Sequence, residues 1–254
     1  MLQQWIWGNV PAGFKKIRLG CRQMMVVRKG VESNLAAEKL LERGGVQEAS
    51  TFQGRAKLGF LRMEDGGTAL VRPYRHGGML RHLTRGLFFT WPPRPFIELA
   101  MTEEVCRRGI STLEILAACV ERVCGPIYRG WLVTRELLGA RDLWSVLQDD
   151  FLDAGGKKAL LESVARTLRR MHRRGVYHGD LNLKNILVRR EADQFNSYII
   201  DFDKARLFPG EVPAEMAQKN VARLHRSVGK LDPQRRYLSQ SDWDLLIGRY
   251  RGHG

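Results

Sequence analysis

The sequence predicts an α+β chain of two lobes, the first built on antiparallel strands and the second mainly helical. Three observations point there. Segments before residue 138 alternate apolar and polar side chains or run as short apolar stretches, and two of them flank an Asp-Gly turn. Segments after it repeat apolar residues at helical spacing. Between them, "LLGARDL" sets Gly139 behind an apolar strand, as a connector does, giving lobes at 1–138 and 139–254.

Taken in order, "KKIRLGCR" alternates Ile17, Leu19 and Cys21 with polar neighbours, and "MMVVRK" follows as a second strand. "SNLAAEKLLERGG" reads as a helix capped by Ser33 or Asn34 and stopped by Gly44. "AKLGFLRM" and "TALVRPY" flank "EDGG", a hairpin. "FIELAMTEEVCRR" is a helix that Gly109 ends, with Glu103 and Glu104 expected in solvent. "YRGWLVTRELLGARDLWSVL" is a strand, a glycine and a short amphipathic piece. In "KKALLESVARTLRRMHRRG", Leu161, Val164, Leu168 and Met171 share one helical face, and His172 reads as a packing residue. From 217 to 231, Ala217, Val221, Leu224, Val228 and Leu231 form an apolar stripe opposite Lys219, Arg223, Arg226 and Lys230, a basic amphipathic helix.

Composition narrows the function classes. The formal net charge of +15 over 254 residues attracts polyanions: nucleic acid, an anionic membrane surface or a phosphorylated substrate. No RNP-like strand, helix-turn-helix signature or zinc-finger spacing accompanies it, so no nucleic-acid partner is expected. The longest clean apolar run, "ILAACV", is far short of a bilayer span, and the N-terminus lacks the pattern of a secretory signal. The four cysteines form no C-x-x-C pair and read as buried thiols in a reducing compartment.

One stretch carries chemistry. "VYHGDLNLKNIL" places His178 two residues before Asp180 and Asn185 five after it, and an apolar strand then leads to "IIDFDK". That order meets the needs of phosphoryl transfer, where catalysis is mostly positioning plus a divalent metal. Asp180 would accept the proton of an attacking hydroxyl. Asn185 and Asp201 would supply the hard oxygen ligands that Mg2+ selects.

H-x-D-x-x-x-x-N followed by Asp-Phe-x resembles the catalytic core of the protein-kinase-like superfamily, and "HGDLNLKN" is closer to its small-molecule and sugar kinases. With "VRPYRHGG", "RPFIEL", "VTRELLGARDL" and "IIDFDKAR" in this order, residues 50 to 231 resemble the lipopolysaccharide kinase family, nearest to its branch that phosphorylates 3-deoxy-D-manno-octulosonic acid (Kdo). The resemblance implies a bilobal protein-kinase-like fold with ATP and Mg2+ as cofactors. Asp180, His178 and Asn185 form the catalytic set, and Asn185 and Asp201 the metal ligands. Gly54, in a degenerate glycine-rich turn, and Glu136, in the connector, fall to the nucleotide, as does a phosphate cation at Arg72 or Lys57, with Glu98 as its helix partner. Asp203 stands where the family pattern has glycine, which implies a metal loop less free to flip. The implied acceptor is a lipid-linked sugar, a Kdo-bearing lipid A precursor, met by a peripheral protein at the cytoplasmic face of the inner membrane. A heptose kinase or a kinase of a soluble small molecule is the alternative, ahead of a protein kinase or a pseudokinase scaffold.

Overall fold

The computed structural model describes residues 10–33, 35, 47–49, 58–74, 86–192 and 194–252. The chain divides into two compact units, Met1–Glu103 with Glu114–Glu136, and Glu104–Leu113 with Leu137–Gly254. The expected break after residue 138 thus compares with a division after Glu136, and Glu104–Leu113, placed by the sequence in the first lobe, belongs to the second unit.

The first unit is built on a seven-stranded sheet of β1 (Phe14–Arg18), β2 (Gln23–Arg28), β3 (Gln47–Ala49), β4 (Leu58–Arg62), β5 (Thr68–Pro73), β6 (Ile115–Cys124) and β7 (Ile127–Arg135). Its order is β1-β2-β6-β7-β5-β4-β3, and every neighbouring pair is antiparallel. β4 and β5 are joined by the "EDGG" turn, where the Asp65 carboxylate accepts the Gly67 N–H at 2.9 Å and Gly66 takes φ +80°. β6 lies near the middle of the sheet, and Ile115 to Val120 are buried without interruption, so both of its faces are covered. Met25, Val27, Val71, Leu116, Ala117 and Val133 pack on one side. Val26, Ile115, Ala118 and Leu132 pack on the other with Leu99 of helix α1 (Arg94–Arg107). β1 and β2 extend the sheet beyond β6. The helix predicted around 33–45 lies almost wholly outside the described residues.

Two expectations are corrected here. Only Cys119 is buried, and desolvation pushes its thiol up to about 12. Cys21, Cys106 and Cys124 are exposed, because they sit in the β1–β2 turn, on the last turn of α1 and at the end of β6. Nor do Glu103 and Glu104 face solvent. Glu103 pairs with Arg28 at 2.5 Å, and burial pushes its carboxyl up. Buried Glu104 accepts from Arg107 at 2.7 Å and Arg108 at 2.9 Å, and the Arg107 hydrogen bond is the main cause holding its carboxyl below the usual range.

The second unit adds β8 (Ala140–Asp142), α2 (Leu143–Leu147), α3 (Ala154–Arg173), β9 (Val176–Tyr177), a 3-10 turn (Leu183–Asn185), β10 (Ile186–Glu191), β11 (Gln194–Ile199), β12 (Arg206–Leu207), α4 (Ala214–Leu231) and α5 (Gln240–Arg251). α3 begins where the Asp153 side chain accepts the Gly156 N–H, and it buries Leu161, Val164, Leu168 and Met171, the predicted stripe, while packing on β11 and α5. α5 opens with a Ser239/Asp242 capping box. Arg108 donates to the carbonyls of Arg174, Gly175 and Phe208 at 2.8 to 3.3 Å, which ties the end of α1 to the segments around β9 and β12.

Leu168 is 1% exposed, so Leu168→Ala is expected to lower unfolding free energy by about 2–5 kcal/mol, measured by denaturant titration followed by circular dichroism.

Candidate active site

The loop after β9 is shaped by what surrounds it. β9 pairs antiparallel with β12, Tyr177 opposite Arg206, so the chain entering the loop runs beside the chain leaving "DFDK". A Cβ on Gly179 would run into the carbonyl oxygen and Cβ of Lys204. The glycine in "HGD" follows from that close approach.

His178 is completely buried. Its Nδ1 lies 3.0 Å from the Asp180 main-chain nitrogen and its Nε2 2.9 Å from the Ile200 carbonyl oxygen. An amide N–H only donates and a carbonyl only accepts, so the ring is a neutral imidazole protonated on Nε2. Burial pushes its pKa down, against the nearby carboxylates. The ring contacts Phe202, itself fully buried. Both ring nitrogens of His178, which the sequence places in the catalytic set, are thus engaged by main chain, an arrangement that braces the loop.

The Asp180 carbonyl accepts from the side-chain amides of Asn182 and Asn185, each at 2.9 Å. Its backbone is thereby fixed on both sides while its carboxylate stays 46% exposed, able to meet an acceptor. Asn182 also caps the 3-10 turn by accepting the Lys184 N–H at 3.0 Å.

Asn185 and Asp201 are brought to one end of a hairpin by strand register. β10 pairs antiparallel with β11, Ile186 opposite Ile199, and the Ile200 N–H donates to the Asn185 carbonyl at 3.0 Å. Asn185 precedes that first rung and Asp201 follows it. Asn185 is buried with its Nδ2 committed to Asp180, and its Oδ1 accepts no hydrogen bond among the described residues. Asp201 takes φ +71°, a left-handed conformation uncommon outside glycine, and its carboxylate has no hydrogen-bond or ion-pair partner among the described residues. An amide oxygen and a carboxylate, both uncommitted, fit a hard divalent cation such as Mg2+, which takes one or two carboxylates beside water and phosphate.

Sequence reasoning missed Asn220, on α4. Its Nδ2 donates to the His178 carbonyl at 2.5 Å, and its Oδ1 accepts the His178 N–H at 3.0 Å and faces His172 Nε2 at 3.1 Å. The Tyr250 hydroxyl meets His172 Nδ1 at 2.7 Å, and burial is the main cause that lowers the His172 pKa. The signal was a polar residue on the apolar stripe, three after Ala217 and four before Leu224. On the same helix Lys219, Arg226 and Lys230 are exposed.

In the first unit the structure brings Arg72 and Glu98 together. Arg72 Nη2 lies 2.5 Å from Glu98 Oε1, and the Tyr74 hydroxyl donates to Glu98 Oε2. Glu98 is buried, whereas Arg72 is 39% exposed and lies against the Tyr74 ring. Glu136 is the last residue of this unit, its N–H donating to Thr68 at 2.8 Å. Gly54, Lys57 and the "YRHGG" residues beyond Tyr74 lie outside the described residues.

The family model described as "Lipopolysaccharide kinase (Kdo/WaaP) family" matches residues 45–250. The chain belongs to this family. Its relatives include the 3-deoxy-D-manno-octulosonic acid kinase of Pasteurella multocida, 32% identical over 78% of this chain and 82% of the relative. The enzyme of the same description in Xylella fastidiosa is 33% identical over 76% and 74%, and that of Xanthomonas campestris pv. campestris 34% over 72% and 71%. Among solved structures, WaaP in complex with acyl carrier protein aligns with a TM-score of 0.56 at 21% identity, over 91% of this chain and 89% of that one. The fold is therefore the α+β, kinase-like fold of the family, and the chain is a kinase. Among the described residues no helix is long and apolar enough to cross a membrane.

Two outcomes are expected. His172 and His178 hold pKa values below their ordinary 6.5, so the unfolded chain binds more protons than the folded one below that pH. Stability is retained above about pH 6.5 and lost on acidification, at up to about 1.4 kcal/mol per pH unit and histidine; thermal melts between pH 7.5 and 5.5 should show the fall. Asn220→Ala, which orphans His178 and His172 groups, should cost at least about 1–3 kcal/mol, read in urea unfolding.

Proposed function

We propose that this kinase transfers the γ-phosphoryl group of ATP to a hydroxyl of Kdo on a lipid A precursor. The relatives named for that activity, each about a third identical over most of the chain, support the acceptor. The observation that carries the chemistry is Asp180, an accessible carboxylate on a loop whose backbone is held by His178, Asn182 and Asn185.

In this reading the acceptor hydroxyl binds against the Asp180 carboxylate. Its oxygen forms a bond to the γ-phosphorus, the bond from that phosphorus to the β–γ bridging oxygen breaks, and the hydroxyl proton passes to Asp180, leaving ADP and the phosphorylated sugar. Asn185 and Asp201 would hold Mg2+, which when bound neutralises charge on the transferring phosphates. Arg72, supported by Glu98, contacts nucleotide phosphate, and its planar guanidinium offers two parallel donors where a lysine would offer one point charge. Gly54 and Glu136 complete the proposed nucleotide contacts, with Lys57 the alternative to Arg72 as phosphate cation. The exposed Lys219, Arg226 and Lys230 of α4 support a peripheral position on an anionic membrane, each worth about 1 kcal/mol near such a surface.

The test is transfer from radiolabelled ATP with Mg2+ to a Kdo-bearing lipid A precursor, beside a precursor lacking Kdo. Label on the Kdo-bearing lipid alone, with kcat reduced about 10²- to 10⁴-fold in Asp180→Ala and KM for ATP little changed, is the expected result. Equal labelling of both lipids would reject Kdo as the acceptor. A second outcome concerns the first unit: Arg72→Lys should raise KM for ATP while retaining acceptor KM, in the same assay.

A further inference from the structure

Beside Asp180 stands a loosely engaged cation. Arg223 of α4 approaches the Asp180 carboxylate, Nη1 to Oδ1, at 3.8 Å, too far for a hydrogen bond. Its Nε is buried without a partner, and its guanidinium makes no hydrogen bond among the described residues. The Arg223 side chain is 39% exposed and the neighbouring Asp180 side chain 46%, so both members of the pair are partly open to solvent. If Arg223 served only to hold Asp180, closing the gap by about an ångström would give a direct charge-assisted bond.

A group that reacts at Asp180 must bring its hydroxyl within hydrogen-bond reach of that carboxylate. The remainder of the same sugar then lies within a few ångströms of Arg223. We propose that Arg223 recognises a carboxylate on the acceptor sugar and so sets specificity for a sugar acid. This rests on the function proposed above, whose acceptor is by its chemical name an acid. Guanidinium and carboxylate match as two parallel N–H···O bonds, which the outward part of the Arg223 fork can offer, while neutral sugars present no anion to it.

The experiment compares a Kdo-bearing lipid A precursor with the same lipid carrying Kdo as its carboxamide, for the full chain and for Arg223→Gln, Arg223→Lys serving as the charge-retaining variant. Binding to detergent-dispersed lipid and transfer from ATP are both measured, with thermal melts to verify folding. Wild type should favour the acid by about 10- to 100-fold in Kd and acceptor KM. Arg223→Gln should lose that preference with KM for ATP unchanged, and Arg223→Lys should keep part of it. A preference that survives in Arg223→Gln, or an effect confined to KM for ATP, overturns the assignment; the latter would mean that Arg223 reads nucleotide phosphate. Selective binding of the acid by wild type without transfer would leave Arg223 in place and reject the proposed reaction. Binding of neither lipid would reject both.

Discussion

A single side-chain amide, that of Asn220, holds both main-chain groups of His178, and the geometry of the catalytic loop depends on it. The two bonds imitate one rung of a β-ladder in a place where no strand is available. The task requires a donor and an acceptor on one small group, which an amide has and an ionised carboxylate lacks. His178, held this way, passes the constraint to Asp180 and Ile200 through its two ring nitrogens, and His172 and Tyr250 close the network on the other side of Asn220. Asn220, His178 and His172 at its centre are buried, and burial lowers the pKa of both imidazoles, which keeps this core uncharged. It therefore avoids the desolvation penalty of an interior ion pair and is costly only when a member is lost or charged.

Two further devices position chemistry, each within its own unit. One is the β10–β11 register, which sets Asn185 and Asp201 at the same end of a hairpin and leaves Asp201 in a left-handed conformation. The other, in the first unit, is the Arg72–Glu98 pair, whose buried carboxylate is served by both a guanidinium and the Tyr74 hydroxyl. Glu98 is buried, so its carboxylate relies on donors such as these, and the pair in turn orients Arg72.

Much of this was legible in the residues. The "EDGG" hairpin, the α3 stripe and the spacing from His178 to Asp201 each follow a local rule, and local rules survive folding. What was hidden depended on tertiary surroundings. "ILAACV" reads equally as any short apolar run until side chains pack on both faces of the sheet it joins. Glu103 and Glu104 look like solvated helix residues until Arg28, Arg107 and Arg108 arrive. His178 carries the same letters whether it transfers a proton or braces a loop, and its two main-chain partners are set by the fold rather than by the motif. Asn220 and the Ser239–Asp242 capping box did leave signals, a polar residue on an apolar stripe and an S-x-x-D start, but each is weak in isolation.

The β10–β11 hairpin also separates what can vary from what cannot. Its paired rungs run from Ile186–Ile199 at the base to Glu191–Gln194 at the turn, a span of about 17 Å at the usual strand rise. Register is set at the base, where the Asn185 carbonyl is tied to Ile200, so residues inserted between Glu191 and Gln194 lengthen the turn without shifting either oxygen donor. That turn is where relatives can diverge in length, and where a fluorophore or affinity tag can be carried without disturbing the chemistry.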